Sequence, residues 1–248
     1  MNQEYDVIVV GAGPAGIFTA LELEQKRPNT SILLVDMGRT IDHRTCPART
    51  LNRCVGCQPC NIMSGWAGAG AFSDGKLSLS EEVGGNITDY LPRNEVRALI
   101  QYADSIYLQH GAPQEVFGLN DPKVDEIQYE CTRHNIRLIP CPVRHLGTEK
   151  TFTVLRNMYE TLMGCEGFEF RERTSAQQLL VENGKVAGVY LKDAAGEVSL
   201  ARAKKVVAAP GRGGAAWLKQ IAWEHNIETT NNEVDIGVRV ETPNSIMD

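Results

Sequence analysis

Apolar runs rich in Val, Ile and Leu alternate with stretches of helical spacing near the start of the chain, and the alternation predicts a strand–turn–helix–strand unit. Tyr5-Asp6-Val7-Ile8-Val9-Val10 has the β-branched character of a buried strand. Residues 17–26 place Ala20, Leu21 and Leu23 on one side of a helix, and Ser31-Ile32-Leu33-Leu34-Val35 forms a second strand that ends at Asp36. Residues 37–82 show little periodicity, so this stretch reads as a long insertion where a compact fold would have a short crossover. Helical spacing returns over 94–110, through Val96, Leu99, Ile100, Ala103, Ile106 and Tyr107, with Gly111 as a stop.

Asp121-Pro122 caps and starts a helix reaching about residue 135, and a further helix is expected over 150–163. Between them, 136–139 and 143–146 are short pieces, confined by Pro140 and Pro142 to edges or irregular extended chain. Strands are expected over 168–171 and 178–182, followed by a hairpin at Asn183-Gly184 into 185–192. Ala195-Gly196 turns the chain into two more strands, 198–201 and 205–209. The turn at 210–214 leads into a helix over 215–225, and 234–240 alternates like one more strand. The pattern as a whole is α/β, a Rossmann-like parallel sheet with a long Cys/Gly-rich insertion and a β-rich hairpin segment.

Composition narrows the class. Among 248 residues, 42% hydrophobic and 23% charged describe a globular chain with a sizeable core. The net charge of −6 argues against a nucleic-acid or anionic-membrane surface. No apolar run approaches the roughly 18 residues that a membrane helix needs. The first expected strand starts at Tyr5, which leaves no room for a secretory leader and points to the cytoplasm. In that compartment the 7 cysteines are thiols or ligands rather than a disulfide framework.

The turn between the first strand and helix, Gly11-Ala12-Gly13-Pro14-Ala15-Gly16, is a G-x-G-x-x-G sequence. Gly11 permits the tight turn, Gly13 lets the backbone approach a diphosphate, and Gly16 lets helix and strand pack closely. Pro14 and Ala15 open the helix, whose free N–H groups and dipole favour bound negative charge. Asp36 lies 20 residues beyond Gly16, where a carboxylate accepts ribose hydroxyls, with Met37 and Gly38 following it. Strand, glycine turn, helix and acid together specify a dinucleotide site. Asp36→Ala is expected to weaken binding and leave the fold intact.

The insertion carries two further signals. Cys46, Cys54, Cys57 and Cys60 are spaced C-x7-C-x2-C-x2-C, which fits zinc or an iron–sulfur cluster, a redox dithiol beside a flavin, or a set of reduced, buried cysteines. Gly65 to Gly75 then holds four glycines with Trp66 and Phe72, read as backbone that closely approaches a planar ring through Gly68, Ala69 and Gly70. Ser73, Asp74 and Lys76 are polar groups near that ring's edge and, with Cys54, Cys57 and Cys60, the candidates for catalysis. The five histidines show no metal-ligand spacing.

These segments resemble a flavoprotein of the glutathione-reductase-like, two-dinucleotide class. The glycine turn with Asp36 is similar to its FAD fingerprint, and Val206-Val207-Ala208-Ala209-Pro210-Gly211 to its second motif. The chain also resembles a poorly characterised group of bacterial and archaeal FAD-dependent dehydrogenases, through the cysteine cluster, the segment from Gly65 to Leu77, and Ala209-Pro210-Gly211-Arg212. Asp235-Ile236-Gly237-Val238-Arg239-Val240-Glu241 is a further point of likeness. The resemblance implies an FAD-dependent oxidoreductase that passes a hydride to or from a small-molecule substrate, with NAD(P)H a possible electron donor. It implies contacts from Ala209 and Gly211, and adenine near Ala176.

Members of the class run longer and close the site with a C-terminal Gly-Asp motif. The sequence therefore reads as an N-terminal portion: an FAD-binding domain over 1–233, interrupted by the insertion 37–92 and the helical segment 93–164, then the start of a second domain over 234–248. An NAD(P)-binding dehydrogenase, or a non-catalytic nucleotide-binding fragment with a Cys-ligated metal, is the alternative.

Overall fold

A computed structural model describes residues 3–231, 236–238 and 241–247. In chain order the elements begin with β1 (Gln3–Val10), α1 (Pro14–Lys26) and β2 (Ile32–Val35), then the short helix α2 (Ala48–Leu51) and β3 (Lys76–Ser78). Next come α3 (Arg93–Gln109), α4 (Pro122–Arg133), β4 (Val143–His145) and α5 (Gly147–Met163). The chain continues through β5 (Phe168–Arg171), β6 (Ser175–Glu182), β7 (Lys185–Lys192) and β8 (Val198–Ala208), followed by α6 (Ala215–Glu224) and α7 (Asn244–Met247).

Six strands form one sheet in the order β5-β2-β1-β8-β7-β6. The pairs β5–β2, β2–β1 and β1–β8 are parallel, and β8–β7–β6 is an antiparallel meander. All four residues of β2 are buried, as expected of a parallel strand covered on both faces. Alternate residues divide between the faces. Val7, Val9, Ile32 and Leu34 pack with Ile17 of α1, Ile106 of α3 and Met158 of α5, while Ile8, Val10, Leu33 and Val35 pack with Val189, Leu191 and Trp217. The mouth of the fold is thus the carboxyl end of β1, β2 and β8, where Gly11 donates to Val35 O and Ala209 to Val10 O, both at 2.8 Å.

Several boundaries move for physical reasons. The first helix begins at Pro14, because a proline at its first positions needs no N–H partner. The two strands expected over 198–201 and 205–209 are one strand, β8. Its Val198–Arg202 part pairs with β7 and its Ala201–Ala208 part with β1, so the charged stretch 202–205 continues the strand. Arg202 and Lys204 find Glu182 and Asp6 at its edge. The meander starts at Ser175, ahead of the expected 178, and 136–139 forms no strand. A small antiparallel pair, β3 with β4, ties the insertion to the later chain.

The strand expected over 234–240, and with it the start of a second domain, lies largely outside the described residues; 236–238 carry no regular structure. Among the described residues no helix is long and apolar enough to cross a membrane.

Candidate functional site

The glycine turn is held by contacts that leave two of its glycines no room for a side chain. Gly11 adopts φ +104°, and a Cβ there would lie 2.2 Å from the Ala209 carbonyl oxygen, because the end of β8 crosses directly beside the turn. A Cβ on Gly16 would meet the Gly11 carbonyl oxygen at 1.9 Å and Val9 Cγ1 at 3.3 Å, so α1 packs against the turn through a bare backbone. Gly13 differs. It caps α1 in extended conformation, and a Cβ there would meet nothing within 4 Å. Its open side borders a cavity.

Asp36, buried at the end of β2, joins three loops. Its Oδ2 accepts the Ala12 N–H at 2.8 Å, and its Oδ1 accepts the N–H groups of Gly38 and Gly65, each at 2.7 Å. A carboxylate offers about four lone-pair positions. The backbone occupies three, and one on Oδ2 is left for a hydroxyl donor. The carboxylate is thus held by three backbone bonds that the expectation for Asp36→Ala left out, a structural clasp as well as a candidate ribose acceptor.

The clasp sets the path of the glycine-rich segment. Gly38 abuts Ser64 and Gly65 backbone, Trp66 N–H donates to Arg39 O at 3.0 Å, and Ala67 N–H donates to Ala12 O at 2.7 Å. Arg44 holds the same segment from behind. Its buried guanidinium donates to the carbonyls of Asn61, Ile62, Trp66 and Gly68 and lies 4.8 Å from the centre of the Phe72 ring. Burial pushes its pKa down to about 10, against the favourable charge of Asp36. Trp66, within the segment read as backbone approaching a ring, anchors that segment to the core. It is 0% exposed, donates Nε1–H to Leu155 O at 2.9 Å, and meets Tyr159 and Phe170 edge-on at 5.0 and 5.4 Å.

These segments enclose a cavity of about 330 Å³. Of the residues expected to bind a cofactor, Gly11, Gly13, Pro14, Asp36, Met37, Gly68, Ala69, Gly70, Ala176, Ala209 and Gly211 line it, whereas Ala15, Gly16 and Gly38 do not. Met63, Ser64, Thr174 and Ser175 also line it, with no local signal in the sequence to mark them, and so does Arg212, at the end of the Ala209-Pro210-Gly211-Arg212 segment. Asp36 and Arg212 are the charged residues of this wall. A second, open groove of about 610 Å³ shares Met37, Ser175 and Ala176 with the first and extends between α6 and the meander, past Trp217 and Tyr190.

The remaining candidates are placed elsewhere. Ser73 donates to Gly70 O at 3.0 Å, and Asp74 and Lys76 form an exposed ion pair at 2.9 Å; none of the three lines the cavity. Cys54 and Cys60 are exposed, Cys46 and Cys57 partly so, and all four are free thiols. Among the described residues no group of three or more His, Cys, Asp or Glu is placed to hold a metal ion, so the four cysteines do not form an assembled ligand set. Their loop still reaches the cavity, since Cys60 O accepts the N–H groups of Met63 and Ser64 at 3.0 and 2.9 Å. No histidine lines the cavity.

The FAD binding domain family matches residues 128–236. That stretch includes the meander, Ala176 and the 209–213 part of the cavity wall, and lies beyond the glycine turn. No curated protein matches the chain. Among solved structures, the chain is similar to FrdA of Escherichia coli quinol fumarate reductase, at TM-score 0.51 and 16% identity over 84% of this chain and 33% of that one. It is likewise similar to Mycobacterium smegmatis Sdh1 in complex with UQ1, at TM-score 0.51 and 15% identity over 84% and 34%. The 3-ketosteroid-delta4-(5alpha)-dehydrogenase of Rhodococcus jostii aligns at TM-score 0.49 and 18% identity over 83% and 45%. The chain spans about a third of the length of the first two and less than half of the third. At these identities the likeness is one of fold.

Proposed function

We propose that this chain is the cofactor-holding part of an FAD-dependent oxidoreductase that transfers a hydride to or from a small-molecule substrate. The observation that carries the reading is the wall of one cavity, which combines the N-terminus of α1, the open side of Gly13 and the unfilled acceptor position of Asp36. A dinucleotide fits this donor and acceptor set. The first-turn N–H groups of α1 have no partners inside the helix and would meet the diphosphate over Gly13. Asp36 would accept a ribose hydroxyl, and Ala176 would lie by the adenine, where the second groove gives a planar base room to extend. Gly68, Ala69 and Gly70 would present backbone to the flavin ring.

Bound FAD supplies the two-electron chemistry; the chain's own residues bind, orient and shield it. Among the described residues no Lys, Cys, His or Glu lines the cavity, which fits a site that works by positioning. FAD is favoured over NAD(P) by the FAD binding domain match through the meander. The purified full-length protein should show the visible absorption bands of oxidised flavin, bleached by dithionite, and release FAD on denaturation. A colourless protein that binds NAD would overturn the proposal.

A further inference from the structure

We infer that Arg212 supplies the counter-charge to the diphosphate of the bound dinucleotide. The inference rests on the dinucleotide reading above and concerns a residue outside both the glycine turn and the ribose acid. The backbone that carries Arg212 is pinned to that turn: Ala209 N–H donates to Val10 O at 2.8 Å, and the Ala209 carbonyl occupies the space where a Gly11 side chain would stand. Three residues later Arg212 opens a tight 3-10 turn, Arg212–Gly214, in the wall of the same cavity as Gly13. Its neighbours Gly211 and Gly213 carry no side chain to block a ligand, and Gly213 lies against Ser64, so this turn and the 63–64 segment meet in the cavity wall.

Charge decides what the arginine is for. Asp36, the other charged residue in the wall, already has three of its acceptor positions taken by Ala12, Gly38 and Gly65. Arg212 is exposed and makes no ion pair or side-chain hydrogen bond among the described residues. The cavity thus pairs a helix N-terminus, which attracts negative charge, with an uncommitted guanidinium whose planar fork matches phosphate oxygens. The chain as a whole carries −6, so a ligand with a doubly charged diphosphate gains from a local cation on its path into the cavity.

The test is titration of the full chain, stripped of cofactor, with FAD, ADP and adenosine at low and moderate salt, in the wild type, Arg212→Gln and Arg212→Lys. Because Arg212 is exposed, all three proteins should melt alike. Arg212→Gln should bind FAD and ADP about ten- to a hundredfold more weakly, with a shallower salt dependence, and bind adenosine unchanged. Arg212→Lys should recover part of the loss. Unchanged FAD and ADP affinity in Arg212→Gln overturns the assignment, as does a loss for FAD without a loss for ADP, which would place the arginine against the flavin or an anionic substrate. An equal loss for adenosine also overturns it, showing a merely structural role. A wild-type protein that binds neither FAD nor ADP overturns the dinucleotide reading itself and this inference with it.

Discussion

The Asp36 carboxylate accepts the Ala12 N–H at 2.8 Å, tying the acid at the end of β2 to the middle of the glycine turn. With Gly38 and Gly65 on its other oxygen, the side chain organises the cavity before any ligand arrives. Asp36→Ala leaves three buried N–H groups without acceptors, each costing about 1–3 kcal/mol. The ligand-free variant should therefore lose about 3 kcal/mol or more of unfolding free energy, read by urea denaturation. Asp36→Asn keeps one oxygen but turns an amide toward one of the N–H groups, so its loss should be smaller. A ligand-free Asp36→Ala variant as stable as the parent would show that the clasp contributes nothing.

The three glycines of the turn should separate by experiment. Gly16→Ala forces a methyl to within 1.9 Å of the Gly11 carbonyl, and Gly11→Ala adds a left-handed backbone angle to a 2.2 Å clash. Each should destabilise the ligand-free protein by about 1–3 kcal/mol, the usual scale of overpacking. Gly13→Ala meets no atom and should stay within about 0.5 kcal/mol of the parent. Equal losses at all three positions would contradict the division of roles.

Arg44 gives a loop-specific outcome. Its guanidinium bridges four carbonyls between Asn61 and Gly68, a geometry that a lysine ammonium cannot copy. Arg44→Met should destabilise the protein by about 2–4 kcal/mol, since several carbonyls lose their donor at once. Limited proteolysis should then cut between residues 46 and 63 sooner than elsewhere. Arg44→Lys should rescue this only in part, and an unchanged cleavage pattern in Arg44→Met would count against the bracing role.

The parts legible in the sequence were those specified locally. The Asn183-Gly184 turn between alternating strands, and the short run Phe168–Arg171, appear where they were expected. The glycine turn and Asp36 were legible because a turn, a helix start and a strand end each carry their own residue signature. β8 was misread because most of its charged middle pairs with β1, at the other end of the chain, while β7 holds only its first part. Arg44 and Ser64 were missed for the same reason, as was the place of Arg212 in the cavity wall although its segment was noted: their meaning comes from carbonyls and loops that only folding brings close. Trp66 shows the converse. It stands among glycines read as backbone approaching a ring, and its own side chain fills the core beneath the loop.

The central claim is that the dinucleotide lies across Gly13, and FAD titration of a Gly13→Val variant tests it most directly. The extended backbone of Gly13 accepts valine, so stability should fall by no more than about 1 kcal/mol, from poorer capping of α1. Its branched side chain would occupy the space a diphosphate needs, which should weaken FAD by about ten- to a hundredfold by overpacking alone. The expected result is a folded variant with that loss, measured by quenching of flavin fluorescence against the wild type. A folded Gly13→Val protein that binds FAD as tightly as the wild type would contradict the claim and place the cofactor elsewhere.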